Sequence, residues 1–447
     1  MAAPALQRVV VRLFGVAENE AMPVLAGATL FFLLFAGYFM LRPVRETMGI
    51  AGGVDNLQWL FTGTFFATLA AMPLFGWIAS HVQRRRILPW TFAFFALNLA
   101  LFALGFHWQP DNLWFARTFY IWLSVFNLIA ISVVWSVLAD LFPTAQAKRT
   151  FALMASGASL GGLVGPLLGV ALVGPIGHAG LLWLAAALLV VATLAARHLQ
   201  HWRDAHPLHE QVSASARRQS LGGSPLAGIT DVLRSPFLLG IAAFVLLLAS
   251  VTTFLYFEQA RMVEINFPDR DDQTRVFGTI DALVQALAIV SQLFITGRIA
   301  QRLGIGVLLV AVPVITVLGF LWLGLAPVFA VLAVVMVVRR AGEYAFVRPG
   351  REMLFTAVPV EAKYKAKNFI DSVVYRGADA VSAWIKVGVD MLAQQPALAA
   401  VIGAGIAMAW AATGFGLARA QGRHAHVPAP PHALNAAAFP PPLEKGD

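Results

Sequence analysis

Apolar residues run on for about 18 or more positions at a time along most of the chain, and each run is long enough to cross a hydrocarbon core of ~30 Å as a helix. Twelve such runs stand near residues 22–42, 57–79, 87–106, 113–137, 150–173, 179–196, 237–257, 277–299, 305–325, 327–347, 368–390 and 397–417. They predict an all-α membrane protein with about twelve transmembrane helices set in a lipid bilayer. No small-residue cleavage pattern follows the first run, and Arg42 and Arg45 come directly after it, so it reads as a retained helix.

Polar stretches organise these runs. His198 to Pro236 is rich in His, Arg, Ser and Gly and reads as a flexible cytoplasmic linker. The expected units are an N-terminal six-helix bundle over 1–196, a linker over 197–236 and a C-terminal six-helix bundle over 237–420. Residues 421–447, rich in Pro, Ala and His without apolar periodicity, read as a disordered tail. Local patterns recur in order across the two bundles. Tyr38-Phe39 with Glu46 is echoed by Tyr256-Phe257 with Glu264, Gly76-Trp-Ile-Ala by Gly297-Arg-Ile-Ala, and Pro143 with Ala147-Lys148 by Pro359 with Ala366-Lys367. Two related six-helix halves around a midplane site is the plan of the major facilitator transporters.

Composition narrows the classes. With 59% hydrophobic and 12% charged residues, and a mean hydropathy of +0.73, the chain has too little polar surface for a water-soluble fold. Zero cysteines exclude a disulfide, a thiolate zinc site and a cysteine nucleophile. The ten histidines show no metal spacing, so neither a metal nor a cofactor is expected, and an enzyme is the least favoured class.

A net charge of +9 raises the question of nucleic acid. Basic residues concentrate in alternate loops, however: Arg8 and Arg12, Arg84 to Arg86, Lys148 and Arg149, Arg203, Arg217 and Arg218, Arg298 and Arg302, Lys363 and Lys365, and Arg423. The positive-inside rule explains this placement without nucleic acid and puts both termini in the cytoplasm. Loops on the other side are short or acidic, with Asp111 in one and Asp269, Asp271 and Asp272 in another. The Arg84-Arg85-Arg86 loop reads as a topology determinant, with a gating latch as the alternative.

Ionisable groups inside spans are costly, at ~2.5 to above 10 kcal/mol at the bilayer centre, so they normally face partners or a watery path. Arg339, Arg340 and Glu343 lie too deep in the tenth run to reach either interface, and Arg340 and Glu343 share a face on which they could pair. Asp371, Arg376, Asp379 and Lys386 interrupt the eleventh run, and Asp281 the eighth. Arg42, Pro43, Arg45 and Glu46 stand at the end of the first, and Arg117 one turn inside the fourth.

Two readings compete for these groups. In one, Arg42, Arg45, Arg117, Arg340 and Arg376 bind a small anionic substrate, because forked guanidinium donors suit phosphate or carboxylate and stay charged when desolvated. In the other, the charges pair internally and only align helices, which is the preferred reading for Arg348 and Glu352, one turn apart. Glu343, Asp379 and Asp281 balance the arginines, and Asp281 or Asp379 could instead carry a coupling proton.

In the fifth run, Gly157, Gly161, Gly165 and Gly169 recur every fourth residue and form a smooth stripe for close helix approach. Gly161-x-x-x-Gly165-Pro166-x-x-Gly169 resembles the fifth-helix motif of facilitator antiporters. Plain packing and a part in conformational exchange are both open.

Four stretches carry a more specific resemblance: GYFMLRPVRETMG from Gly37, SVVWSVLADLF with AQAKRTFALMASGAS from Ser132, SPFLLG to NFP from Ser235, and RPGREMLFTAVPVEAKYKAKNFID from Arg348. Over roughly residues 20–420 the chain resembles the nucleotide transporter family of plastids and intracellular bacteria, the ATP/ADP translocases, regarded as distant relatives of the major facilitators. Arg42 and Arg45 keep the family's two basic first-helix positions, whereas Pro43 replaces the first acid. An acid is also missing near Leu128, where Asn127 is adjacent. The seventh-helix acid meets Tyr256 unless Glu258 takes its place, and Asp379 replaces a lysine.

The resemblance implies a nucleotide antiporter, expected as a monomer in a bacterial inner membrane. Its rivals are a proton-coupled exporter and a non-transporting membrane sensor or assembly protein on the same fold.

Overall fold

The computed structural model describes residues 18–82, 84–141, 144–205, 228–393 and 396–425. Eight stretches among them are long and apolar enough to cross a membrane. Two of these are double. The backbone leaves helical geometry at Gly177 (φ 66°, ψ 179°) and at Gly304 (φ 75°, ψ −178°), a positive φ that glycine adopts without strain. Two more long helices, 329–354 and 360–393, are interrupted by charges that keep them off an apolarity count. The described spanning helices therefore number twelve.

In chain order they are α1 (Glu18–Ala51), α2 (Leu57–His81), α3 (Arg84–Trp108), α4 (Leu113–Leu141), α5 (144–176), α6 (178–205), α7 (Pro236–Asn266), α8 (270–303), α9 (305–325), α10 (329–354), α11 (360–393) and α12 (Pro396–Ala425). An additional short helix, Ile229–Arg234, precedes α7, whose first turn is capped by the Ser235 hydroxyl accepting from the Leu238 amide at 3.3 Å. Of the expected linker, 206–227 lie outside the described residues, as do 426–447 of the expected tail.

Several helices outrun their apolar runs. α1 continues nine residues past Arg42 to Ala51, because Arg42 and Arg45 are answered inside the protein by Glu46 and Asp281 and need not end the span at an interface. α8, α10 and α11 each contain one wide π turn, at Gln292–Thr296, Glu343–Val347 and Ile370–Val374.

One buried apolar cluster draws on residues 24–199 and a second on 232–417. Within the first, α1 and α5 pack along the glycine stripe. A Cβ placed on Gly157, Gly161, Gly165 or Gly169 would stand 2.1, 2.5, 2.5 and 3.2 Å from the carbonyl oxygens of Ala28, Phe32, Ala36 and Met40. The two backbones thus meet in a strict four-residue register.

With an even number of spans, both ends of the described chain lie at one end of the bundle, here called the terminal end, opposite the far end. The two halves close on each other at the far end. There a third cluster mixes Ile50, Leu57 and Tyr120 of the first half with Phe257, Val263 and Ala383 of the second.

Candidate functional site

A cavity of ≈980 Å³ lies between the halves, walled by α1, α2, α4 and α5 on one side and by α7, α8, α10 and α11 on the other. It extends from Glu46, Tyr120 and Tyr256 to Ser159, Glu352 and Asp371, toward the terminal end. This volume is at the upper limit of the ~300–1,000 Å³ usual for small-molecule sites.

The far end is shut by polar contacts as well as by apolar packing. Tyr256 of α7 donates its hydroxyl to Glu46 of α1 at 2.6 Å, and Tyr120 of α4 donates to the Tyr256 hydroxyl at 3.0 Å. Thr47 and Thr274 share a hydrogen bond at 2.7 Å, to which His178 adds a contact of 2.9 Å. Arg270 reaches the Pro110 carbonyl at 2.8 Å and Asp111 at 3.1 Å, and the Trp384 indole donates to Thr62 at 3.1 Å.

Tyr256→Phe should loosen this closure, since a hydrogen bond to a charged group is worth about 1.5–3 kcal/mol, or tenfold and more in an equilibrium. The chain has no cysteine, so Ala260→Cys, buried at the far end, can be labelled with maleimide without background. Labelling should speed up about tenfold in the Tyr256→Phe background. An unchanged rate would remove Tyr256 from the closure.

Charge is concentrated on the cavity wall. Seven arginines line it: Arg42 and Arg45 on α1, Arg339, Arg340, Arg348 and Arg351 on α10, and Arg376 on α11. Five carboxylates answer them. Glu46 serves Arg45, at 2.5 Å, and more distantly Arg42, at 3.9 Å. Asp281 serves Arg340 at 2.6 Å and Arg42 at 3.7 Å; Glu343 serves Arg339 at 3.2 Å and Arg348 at 3.3 Å. Asp371 holds Arg351 at 3.1 Å and Asp379 holds Arg376 at 3.5 Å. Glu352, also on the wall, is neutralised by Lys367 at 2.6 Å. Seven cations against five anions leave two positive charges over.

Two pairings differ from the sequence expectation. Arg340 pairs with Asp281 of α8 and not with Glu343, and Arg348 pairs with Glu343 and not with Glu352. In the first case α8 offers a carboxylate that one-helix spacing cannot see; in the second, Lys367 of α11 takes Glu352, and Arg348 turns to Glu343, five residues back on its own helix across the π turn.

Arg42, Arg45, Arg340 and Arg376 line the cavity with Glu343 and Asp379, whereas Asp281 stands behind the wall. Arg117 is not brought to this site. It donates to the Gly52 carbonyl at 2.9 Å and lies over the Trp114 ring, tying the start of α4 to the end of α1. Gly157, Gly161, Gly165 and Gly169 meet α1, as described above, and the Pro166 carbonyl faces Gly278 of α8.

Aromatic rings and hydroxyls that the spacing of charges could not reveal complete the wall, among them Phe39, Phe61, Tyr120, Tyr344 and Tyr375. The Arg45 guanidinium lies 5.0 Å from the Tyr120 ring and donates to Ser124 at 3.2 Å; Arg348 lies 4.2 Å from the Tyr344 ring. Among the described residues, no group of His, Asp and Glu could hold a metal ion.

Solved transporters share this architecture. A bacterial homologue of the human lysosomal transporter Spinster, in an inward-facing and unoccupied conformation, matches with a TM-score of 0.60 at 13% identity, covering 93% of this chain and 100% of that one. The nucleoside transporter NupG matches with a TM-score of 0.63 at 15% identity, over 88% of this chain and 98% of its own. A POT family transporter in complex with a thioalcohol-conjugated peptide gives 0.62 at 11%, over 88% and 96%. At such identities the likeness shows the fold. No curated protein matches the chain in sequence. The family model of the Major Facilitator Superfamily matches residues 21–357. With its twelve helices and central cavity, the chain therefore belongs to the Major Facilitator Superfamily and is a multi-pass secondary transporter, not an enzyme.

Proposed function

We propose that this transporter exchanges an organic polyanion, a nucleotide such as ADP against ATP, by alternating access of the central cavity. The observation that carries the reading is the excess of two guanidinium charges on the cavity wall. Closing an empty cavity around unpaired charge would cost several kcal/mol per ion. An anion that fills the deficit removes that cost, so the loaded carrier turns over and the empty one stays, which is exchange.

Aromatic faces beside the arginines suit a planar base next to phosphates. The resemblance to ATP/ADP translocases supports the same substrate, since Arg42, Arg45, Arg348, Arg351 and Asp371 all lie in the stretches that carry it and all reach the cavity. The basic loops at the terminal end support a cytoplasmic placement of that end, under which a cavity reaching toward it corresponds to an inward-facing state. One chain encloses the whole cavity, and a monomer suffices.

Counterflow in proteoliposomes tests this. Vesicles preloaded with unlabelled ATP should accumulate labelled ADP several-fold faster than empty vesicles. Equal, background-level uptake in both would overturn nucleotide exchange.

One observation favours a second reading, a proton-coupled exporter. Asp379 is buried on the cavity wall with a single basic partner at 3.5 Å and a hydrogen bond from Thr253 at 3.3 Å. Substrate movement driven by an imposed pH gradient, without internal anion, would select it.

A further inference from the structure

Asp281 answers two cavity arginines without lining the cavity itself. It is 3% exposed on α8, and its Oδ1 stands behind two cavity-lining guanidinium groups, 2.6 Å from Arg340 Nη2 and 3.7 Å from Arg42 Nη1. Arg42 belongs to the first half and Arg340 to the second, so one carboxylate oxygen holds cations of both. Its Oδ2 is buried with no hydrogen-bond partner among the described residues. A carboxylate serving only as structural glue is normally satisfied on both oxygens.

The helix carrying Asp281 is fixed in place. One turn earlier, a Cβ on Gly278 would stand 2.7 Å from Val170 and 3.3 Å from the Pro166 carbonyl of α5. Arg42 is the adaptable member: it makes no hydrogen bond among the described residues, and both of its ion-pair contacts exceed 3.5 Å.

We propose that Asp281 determines how much negative charge the cavity selects, by withholding one unit of positive charge from a bound anion at Arg42 and Arg340. The proposal rests on the anion reading above. With Asp281 ionised, the excess on the wall is two; in Asp281→Asn, nearly the same shape carries an excess of three. The added charge favours an anion in proportion to that anion's own charge, so it changes preference and not affinity alone. Loss of a merely structural ion pair would weaken all anions alike.

The test is calorimetric binding of pyrophosphate and tripolyphosphate to the purified full-length protein in detergent. Asp281→Asn is expected to move the affinity ratio about tenfold toward tripolyphosphate, and Asp281→Glu to keep the wild-type ratio. The double variant Asp281→Asn, Arg340→Gln returns the excess to two and should return the ratio as well; if Asp281→Asn alone does not fold, the step from Arg340→Gln, with an excess of one, to the double variant should show the same move toward tripolyphosphate. If wild type binds both anions and the ratios in Asp281→Asn and the double variant stay put or move together, the role of Asp281 is overturned while the anion reading stands. Failure of wild type to bind either anion overturns both.

Discussion

Arg42→Ala is expected to reduce transport about a hundredfold while leaving the fold intact, since truncating a charge that grips a desolvated anion costs about 2–5 kcal/mol. The structure says why stability should survive. Arg42 forms no hydrogen bond among the described residues, and each carboxylate near it keeps a closer cation: Glu46 keeps Arg45 at 2.5 Å and Asp281 keeps Arg340 at 2.6 Å. Arg45→Ala should behave differently. It removes the close partner of Glu46, the bond to Ser124 and the contact with the Tyr120 ring, so a loss of about 3–5 kcal/mol in stability should accompany the loss of transport. Counterflow and thermal unfolding, run on both variants, separate the two effects. Wild-type uptake by Arg42→Ala would take this residue out of the site.

The second large effect is expected along the α1–α5 seam. A methyl group at Gly157, Gly161 or Gly165 would meet main-chain carbonyl oxygens at 2.1–2.5 Å, and main chain cannot step aside as a side chain can. Each alanine variant should therefore push the helices apart and lower stability by about 1–3 kcal/mol or more. Gly169→Ala, with 3.2 Å available, should cost least. Thermal unfolding of the four variants gives the order. A Gly157→Ala protein as stable as wild type would show that the seam is looser than drawn.

Most of the architecture is legible in the sequence because bilayer thickness and apolar run length are the same constraint stated twice. Charge is where the reading fails. An apolarity window stops α1 at Arg42, although the helix continues to Ala51 past two arginines that Glu46 and, from α8, Asp281 answer. Depth along a helix singles out Arg340 and Asp379, both buried on the cavity wall, but it does not tell which way a side chain points. By depth alone Arg117 belongs with the cavity, whereas it faces the α1–α2 turn. Pairing is harder still. Asp281 and Arg340 belong to different helices, and nothing in either segment alone announces the other. The hydrogen bonds of Tyr120 and Tyr256 are not legible either, because a tyrosine in an apolar run resembles any other core aromatic until its hydroxyl is placed.

The π turns bear on how the chain's internal history can be read. Each accommodates one residue more than the α-helical turn it replaces, and all three among the described residues fall in the second half. The first of them lies between Tyr256 and Gly297, the echoes of Tyr38 and Gly76, where one added residue shifts the numbering of everything after it. A residue count thus drifts at each such turn while the helix runs on, and echoes sought at one fixed spacing in the text are missed.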